Sequence, residues 1–510
     1  MPISRYVLPL LSIMLGCVHV QQPSLHQPAE LATLEAVSAP LKIHTLAGTV
    51  YQLTEWQYLP ADSVLEGTGA LYGIDRQELT EGQFRIPLDS MALIETNSTE
   101  ELHPFGIIGL VTTTVVWGAV TVACTADPKS CFGSCPTFYI DSISRDRPLA
   151  EGFSASFAHA LEATDIDALN LVRPAGRHVT IRMANEAWET HAVRSVQLLA
   201  VPARHPDEVF ATRDGHFYAV ENLQAPTRCL GLAGDCRSAL QARDSLEWRS
   251  PTDSSDLAAQ ETVELAFPAA QGSLGLVLGA RQSFVSTFVL YQSMAYFGHE
   301  AGAWLAALER GDSAAVRAYR SVWGTIGRIS VAVFDSSAGW HDVGTFDEAG
   351  PIATDVQVIP IGTVRSDTIR VRLTMARGSW RIDYAARARL SAERTATTLD
   401  AVAVAGERTM SDARRMPDYL ITYPGDEYRF TYVLPREAES YALFLKSRGY
   451  YYEWMRGEWL AEQNPMLMAQ FALDPRSALR TLAPGFKAAE HGFDQNFWAS
   501  RFGRGTGRER

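Results

Sequence analysis

The chain has 510 residues, 46% of them hydrophobic and 20% charged, a globular profile that excludes disorder for its bulk and suggests about three folded units. Fifty-eight acidic against 45 basic side chains give a formal charge of −13, which argues against a broadly basic surface of the kind that holds nucleic acid. Four of the basic residues are lysines, leaving 45 − 4 = 41 arginines, a skew read as coding bias.

Residues 1–16 read as a lipoprotein signal peptide. Arg5 precedes the uncharged run Tyr6 to Leu15, which is too short to span a bilayer, and Gly16 stands directly before Cys17. That pattern resembles a bacterial lipoprotein signal, which implies cleavage before Cys17 and acylation of its thiol. Met14 where Leu is usual is a small departure, and Val18 after the cysteine implies the outer membrane. Residues 17–44, rich in Gln, Pro and Ala, are expected to be a tether. Residues 45–100 read as a small β module of short strands, among them Thr49 to Leu59 and Met91 to Glu95.

The apolar segment 102–126 has no Asp, Glu, Lys or Arg. Within it, 11 of the 19 residues from Phe105 to Ala123 are Val, Thr or Ile. Its length suits a membrane helix, its β-branching suits buried strands, and periodicity does not arbitrate. Residues 127–282 are expected to form a β-rich domain carrying the Cys131-Phe-Gly-Ser-Cys135 loop, with strands such as His178 to Met183, Val193 to Val201 and Leu274 to Leu278. Loops rather than helices separate these strands, so antiparallel pairing is expected. A helix start is expected at Thr164, where Thr164-x-x-Asp167 is a capping-box variant.

Residues 283–327 read as a helical pair, Phe284 to Glu309 and Ser313 to Ile326, broken at Gly311-Asp312. An antiparallel β region spans 328–390. In it Arg370, Arg372 and Thr374 alternate with Ile369, Val371 and Leu373, placing arginines on a solvated face. A linker over 391–420 and an aromatic-rich, mainly helical region over 421–510 complete the chain. The expected fold class is therefore α+β and β-rich, with antiparallel sheet or sandwich-like domains, an inserted helical pair and a helical C-terminal part.

Cysteine spacing suits export. With Cys17 acylated, Cys131 with Cys135 and Cys229 with Cys236 make natural short-loop disulfides, and Cys124 is left over. Motifs of catalysis, metal binding and nucleotide binding are missing: there is no HExxH, GxSxG, GxxxxGK[ST] or strict GxGxxG. The close His/acid neighbours His299-Glu300 and His341-Asp342 diverge on a helix or strand. No catalytic residue, metal ligand or cofactor site is expected.

The stretch from Ala126 to Tyr139, followed by Glu151-Gly-Phe-Ser154 and Leu161 to Asp167, resembles a group of uncharacterised bacterial envelope lipoproteins that carry a CFG[ST]CP loop. The resemblance covers about a tenth of the chain and implies location and architecture, with no activity to carry over. The expected partners are the membrane, through the N-terminal lipid, and an envelope protein or glycan. The expected function is envelope-anchored binding or scaffolding without chemistry. The alternatives are a periplasmic cell-wall hydrolase with a dispersed site and a membrane-spanning transducer using 105–124.

Overall fold

The computed structural model describes residues 18–26, 28–34, 41–45, 49–73, 78–102, 135–140, 148–169, 172, 176–187, 189–203, 208–309, 311–347, 349–364, 366–406, 415–416, 419–422, 426–436, 438, 440–454, 459 and 462–502. The signal segment, Cys17, the apolar segment 103–126, Cys124 and Cys131 lie outside them. The architecture is β-rich, with about 51% strand and 21% helix in several antiparallel sheets. Among the described residues no helix is long and apolar enough to cross a membrane.

The first sheet has six antiparallel strands in the order Val18–His26, Met91–Leu102, Leu41–Thr45, Val50–Leu59, Val64–Tyr72 and Glu78–Pro87. Leu31, Leu41, Ile43, Leu53, Leu65, Ile86 and Ile94 fill its core. This corrects the tether expected over 17–44: Val18 to His26 pairs along its length with Leu102 to Ile94, and Leu31, Leu41 and Ile43 are buried. Gln and Pro composition marks a chain free to extend. It does not prevent pairing once an antiparallel neighbour supplies the ladder.

The strands after residue 135 interleave, so the boundaries expected at 282, 328 and 391 do not separate sheets. His178–Ala184 pairs with Glu427–Val433, and Glu189–Ala203 pairs with Ser440–Glu453. A closed five-stranded barrel is built from Glu208–Ala211, Phe217–Gln224, Trp380–Arg394, Leu274–Gln282 and Asp355–Gly362. One parallel contact, Ala211 with Gln357, closes it. Leu274–Gln282 is buried on both faces. Leu274, Leu276 and Leu278 meet the core shared with a six-stranded sheet, while Val277 meets the barrel interior. In that sheet Thr368–Ala376 shows the expected alternation, with Ile369, Val371 and Leu373 buried beneath outward arginines. The linker expected over 391–420 holds strands instead: Thr397–Leu399 pairs with Leu198 to Ala200, and Ala403–Gly406 pairs with Tyr428 to Thr431.

Two local expectations are corrected. Thr164 lies within the strand Ala163–Ala168, which pairs with Phe444 to Gly449. Alternation across Thr-Asp-Ile-Asp and a ready partner strand outweigh a capping signal that is strong only in a helix end. The region 421–510 is mainly helical only in its second half. Its rings Tyr428 to Trp454 are carried mostly by Glu427–Val433 and Ser440–Glu453, and the helices Pro465–Leu473 and Pro475–Phe502 follow.

The helical layer forms as its sequence suggests. Val285–Phe297 is buried nearly all round, ends at Gly298 with φ of +53°, and gives way to Ala301–Glu309. Asp312 caps Ser313–Ile326, its Oδ1 accepting from Ala314 N at 2.8 Å and Ala315 N at 3.1 Å. Ala315, Ala318, Val322 and Ile326, spaced by three and four, face the core.

Candidate functional site

The site is built on one end of the strand pair Glu189–Ala203 and Ser440–Glu453. Register sets Glu189 opposite Glu453 and His191 opposite Tyr451, so these four side chains share a face by the two-residue period. Thr190 lies on the other face, where Trp454 Nε1 donates to its Oγ1 at 2.9 Å. Asn185 pins the start of the first strand, donating from Nδ2 to the Glu189 carbonyl at 2.9 Å. Two carboxyls directly opposed across a sheet repel when both are ionised. Such a pairing in a buried place is expensive for stability alone.

His191 and Glu189 are each fully buried, and His191 Nε2 lies 2.7 Å from Glu189 Oε1. Burial pushes the imidazole down to about 3, against the raising influence of Glu453 and Asp426. The contact is thus a hydrogen bond from a neutral ring and not an ion pair. With a carboxylate as partner the hydrogen sits on Nε2, and Nδ1 has no hydrogen-bond partner among the described residues.

Two further groups approach from other segments. Cys135, just before the strand Thr137–Tyr139, is a buried, unbridged thiol whose Sγ donates to the Ser154 carbonyl at 3.6 Å. The bridge expected between Cys131 and Cys135 is therefore corrected, because Cys135 turns inward to the protein core. Tyr451 donates its hydroxyl to the same carbonyl at 3.0 Å. Burial, then Glu151, Glu189 and Glu453, push the thiol well up, so it is neither a ready nucleophile nor a redox thiol. The same influences report a negative local potential. Glu151, on the strand Ala150–Glu151, accepts from Ile352 N at 2.8 Å, and burial raises its carboxyl to about 7.

Glu189, Glu453, Tyr451 and Cys135, but not His191 or Glu151, border a narrow recess of about 40 Å³, roofed by Ser286, Thr287, Leu290 and Tyr291 of Val285–Phe297 and by Trp323 of Ser313–Ile326. Glu189, Glu453, Tyr451, Cys135 and Phe157 line the remainder, with Gly350 and Pro351 on one side. That volume holds a few waters or the end of one substituent. Among the described residues no group of three His, Cys, Asp or Glu side chains has the arrangement of a metal site.

The residues singled out by sequence fall elsewhere. Cys229 and Cys236 form the expected disulfide, with Cα atoms 5.1 Å apart. His341 and Asp342 are exposed neighbours on a strand and do not cooperate. The His299 side chain lies outside the described residues. The arginine face is already engaged: Arg372 sits 4.0 Å over the Trp340 ring and donates to Glu264 at 2.8 Å, while Arg370 lies 4.6 Å over Phe334. Sequence reasoning missed Glu151, Glu189, His191, Tyr451 and Glu453. The available signal was polar residues two apart at strand ends, Glu189-Thr-His191 and Tyr451-Tyr-Glu453.

No family model and no curated protein matches the chain. Among solved structures, the chain is weakly similar to the secreted serine protease VesC from Vibrio cholerae, with 9% identity and a TM-score of 0.14 over 73% of this chain and 76% of that one. It is similarly weakly alike to an α-xylosidase of glycoside hydrolase family 31 from Xanthomonas citri, with 7% identity and a TM-score of 0.14 over 85% of this chain but only 38% of that one. Overlap this slight carries no argument about fold or activity.

Proposed function

We propose that the chain is an exported, envelope-anchored binding protein that takes a small organic cation, the amine-bearing end of an envelope peptide, in the recess beside Glu189 and Glu453. The observation that carries this reading is the lining, which combines two carboxyls with the rings of Phe157, Tyr291, Trp323 and Tyr451. Carboxyls and aromatic faces together suit an ammonium head, and the negative potential felt at Cys135 favours a cation over an anion. The recess volume supports binding over hydrolysis of a wall polymer, since a sugar ring needs several times that space. Export is supported by the Cys229–Cys236 disulfide. Acylation of Cys17 and an outer-membrane address rest on the sequence pattern at Gly16-Cys17-Val18.

Calorimetric titration with ethylammonium, set against ethanol and acetate, tests the ligand. Ethylammonium should bind, and Glu453→Gln should weaken it at least about tenfold, the loss of one charge-assisted contact. Equal binding of ethanol, or no binding of any of the three, refutes the cation reading. Cys17→Ser should move the protein from the membrane pellet to the soluble fraction, and retention in the pellet removes the lipid as sole anchor.

A further inference from the structure

One wall of the recess is a short segment held across it from two strands, Leu274–Gln282 and Ala150–Glu151. Residues 349–353 connect the strand Gly339–Phe346 to Asp355–Gly362, and Ala349, Gly350 and Pro351 line the recess. The Gly350 carbonyl accepts from Gln282 N at 3.0 Å, and the Pro351 carbonyl accepts from Arg281 Nη1 at 2.5 Å. The remaining fastening comes from Glu151, whose Oε2 accepts from Ile352 N at 2.8 Å and from Ala353 N at 3.5 Å. Gly350 lies flush against this carboxyl: a Cβ there would stand 2.1 Å from it, so a larger residue would have to push the Glu151 carboxyl off its N–H partners. Glu151 is 2% exposed, and its Oε1 has no hydrogen-bond partner among the described residues.

We propose that residues 349–353 are a strap over the recess, latched by the Glu151 carboxylate and released by its protonation, so that ligand entry is regulated by pH. The inference rests on the recess being a ligand site. An ionised carboxylate accepts from backbone N–H roughly twice as strongly as a neutral carboxyl, and the Ile352 and Ala353 N–H groups lower the pKa of the buried Glu151, so with Glu151 kept buried, adding the proton weakens that latch and leaves the strap held over the recess by the Gly350 and Pro351 carbonyls alone.

The charged surroundings suit this switch. Burial first, with Glu189 adding to it, raises Glu151 to about 7, while the N–H groups of Ile352 and Ala353 and the Arg281 guanidinium act in the opposite direction. Arg281, on the barrel strand, is engaged bidentately by Glu247 at 2.5 and 2.7 Å. The Cys135 thiol is held well above its ordinary range by burial, Glu151, Glu189 and Glu453, so it stays neutral as Glu151 titrates. His191, hydrogen-bonded to Glu189, is neutral over the same interval. Glu151 thus gains its proton close to neutral pH, beside the Arg281–Glu247 pair on the barrel and a neutral thiol and imidazole on the sheets.

Hydrogen exchange by mass spectrometry on the full chain without ligand, corrected for intrinsic rates, tests the strap. Protection over 349–353 should fall about tenfold from pH 8 to pH 6, the weakening of one charge-assisted bond. Glu151→Gln should abolish that step, and Gly350→Ala should leave the strap unprotected at both pH values. Equal wild-type protection at pH 6 and 8, or an undiminished step in Glu151→Gln, overturns the proposal. If Glu151→Gln does not fold, Gly350→Ala and Glu151→Asp give the same decision, since a shorter acid should weaken the latch at pH 8. Ethylammonium separates the two readings. An exchange step without ethylammonium binding keeps the strap and sinks the cation site; ethylammonium entering at the same rate at pH 6 and 8 keeps the site and sinks the regulation.

Discussion

Two buried charged clusters face each other across the segment 349–353, and they solve burial in opposite ways. On the barrel side, Arg281 is fully buried against Glu247, with Arg381 Nη1 3.5 Å from the same carboxylate. Cations there match or exceed the acid, and the fork geometry of Arg281 satisfies both oxygens of Glu247. On the sheet side, Glu151, Glu189 and Glu453 gather around a thiol, and their negative field is what raises Cys135 beyond burial alone. Equal burial therefore has two meanings. A closed, balanced cluster organises the core, whereas an acid-rich one beside an open recess is a place for something that arrives or for a proton that comes and goes.

Breaking the balanced cluster should produce the largest effect. Arg281→Met leaves Glu247 buried with one partner fewer and releases the Pro351 carbonyl, and should destabilise the fold by about 3 to 5 kcal/mol in urea titration. A loss under about 1 kcal/mol would show that the cluster is not the structural half of the pair.

The acid-rich cluster should respond to pH, and with the opposite sign. Glu151 has its folded-state pKa raised from 4.5 to about 7, so the native state holds the proton more tightly than the unfolded chain. Its contribution is favourable below 4.5, is lost as pH rises through about 7, and has a ceiling of roughly 3 kcal/mol. Glu151→Gln should thus raise the urea midpoint at pH 8 and leave it unchanged at pH 4.5. An equal shift at both pH values would erase the distinction between the clusters.

An exposed set of charges supplies the third level. Arg372→Ala removes a cation–π contact with Trp340 and a bond to Glu264 from a half-exposed sheet face, and should cost less than about 1 kcal/mol, less still in high salt. A loss as large as that of Arg281→Met would mean that burial does not decide what these arginines contribute.

The parts of the fold that were legible in the sequence are those whose signal is local. The alternation over Thr368 to Met375 and the break at Gly311-Asp312 each specify an element without help from afar. Thr164-x-x-Asp167 carries a capping signal, but Ala163 to Ala168 forms a strand because it pairs with Phe444 to Gly449, which lies far along the chain. The candidate site was nearly invisible, and the reason is register. Glu189 and Glu453 come from opposite parts of the chain and become neighbours only when fourteen paired positions bring their strands together. Nothing local marks either as buried. Similarly, Cys131-x-x-x-Cys135 has the spacing of a bridge, but spacing does not report that Cys135 turns inward to the Ser154 carbonyl.

The interleaved strands have a consequence for the order of folding. The central strands His178–Ala184 and Glu189–Ala203 find their longest partners in Glu427–Val433 and Ser440–Glu453, and only the short pairing of Arg182–Ala184 with Thr137–Tyr139 is available earlier in the chain. A chain emerging from the ribosome or a translocation pore carries most of their length unpaired until most of the chain has emerged. The body must then close late and in one cooperative step, a slow, non-local assembly for which a chaperone that shields strand edges would matter more than one that speeds local turns.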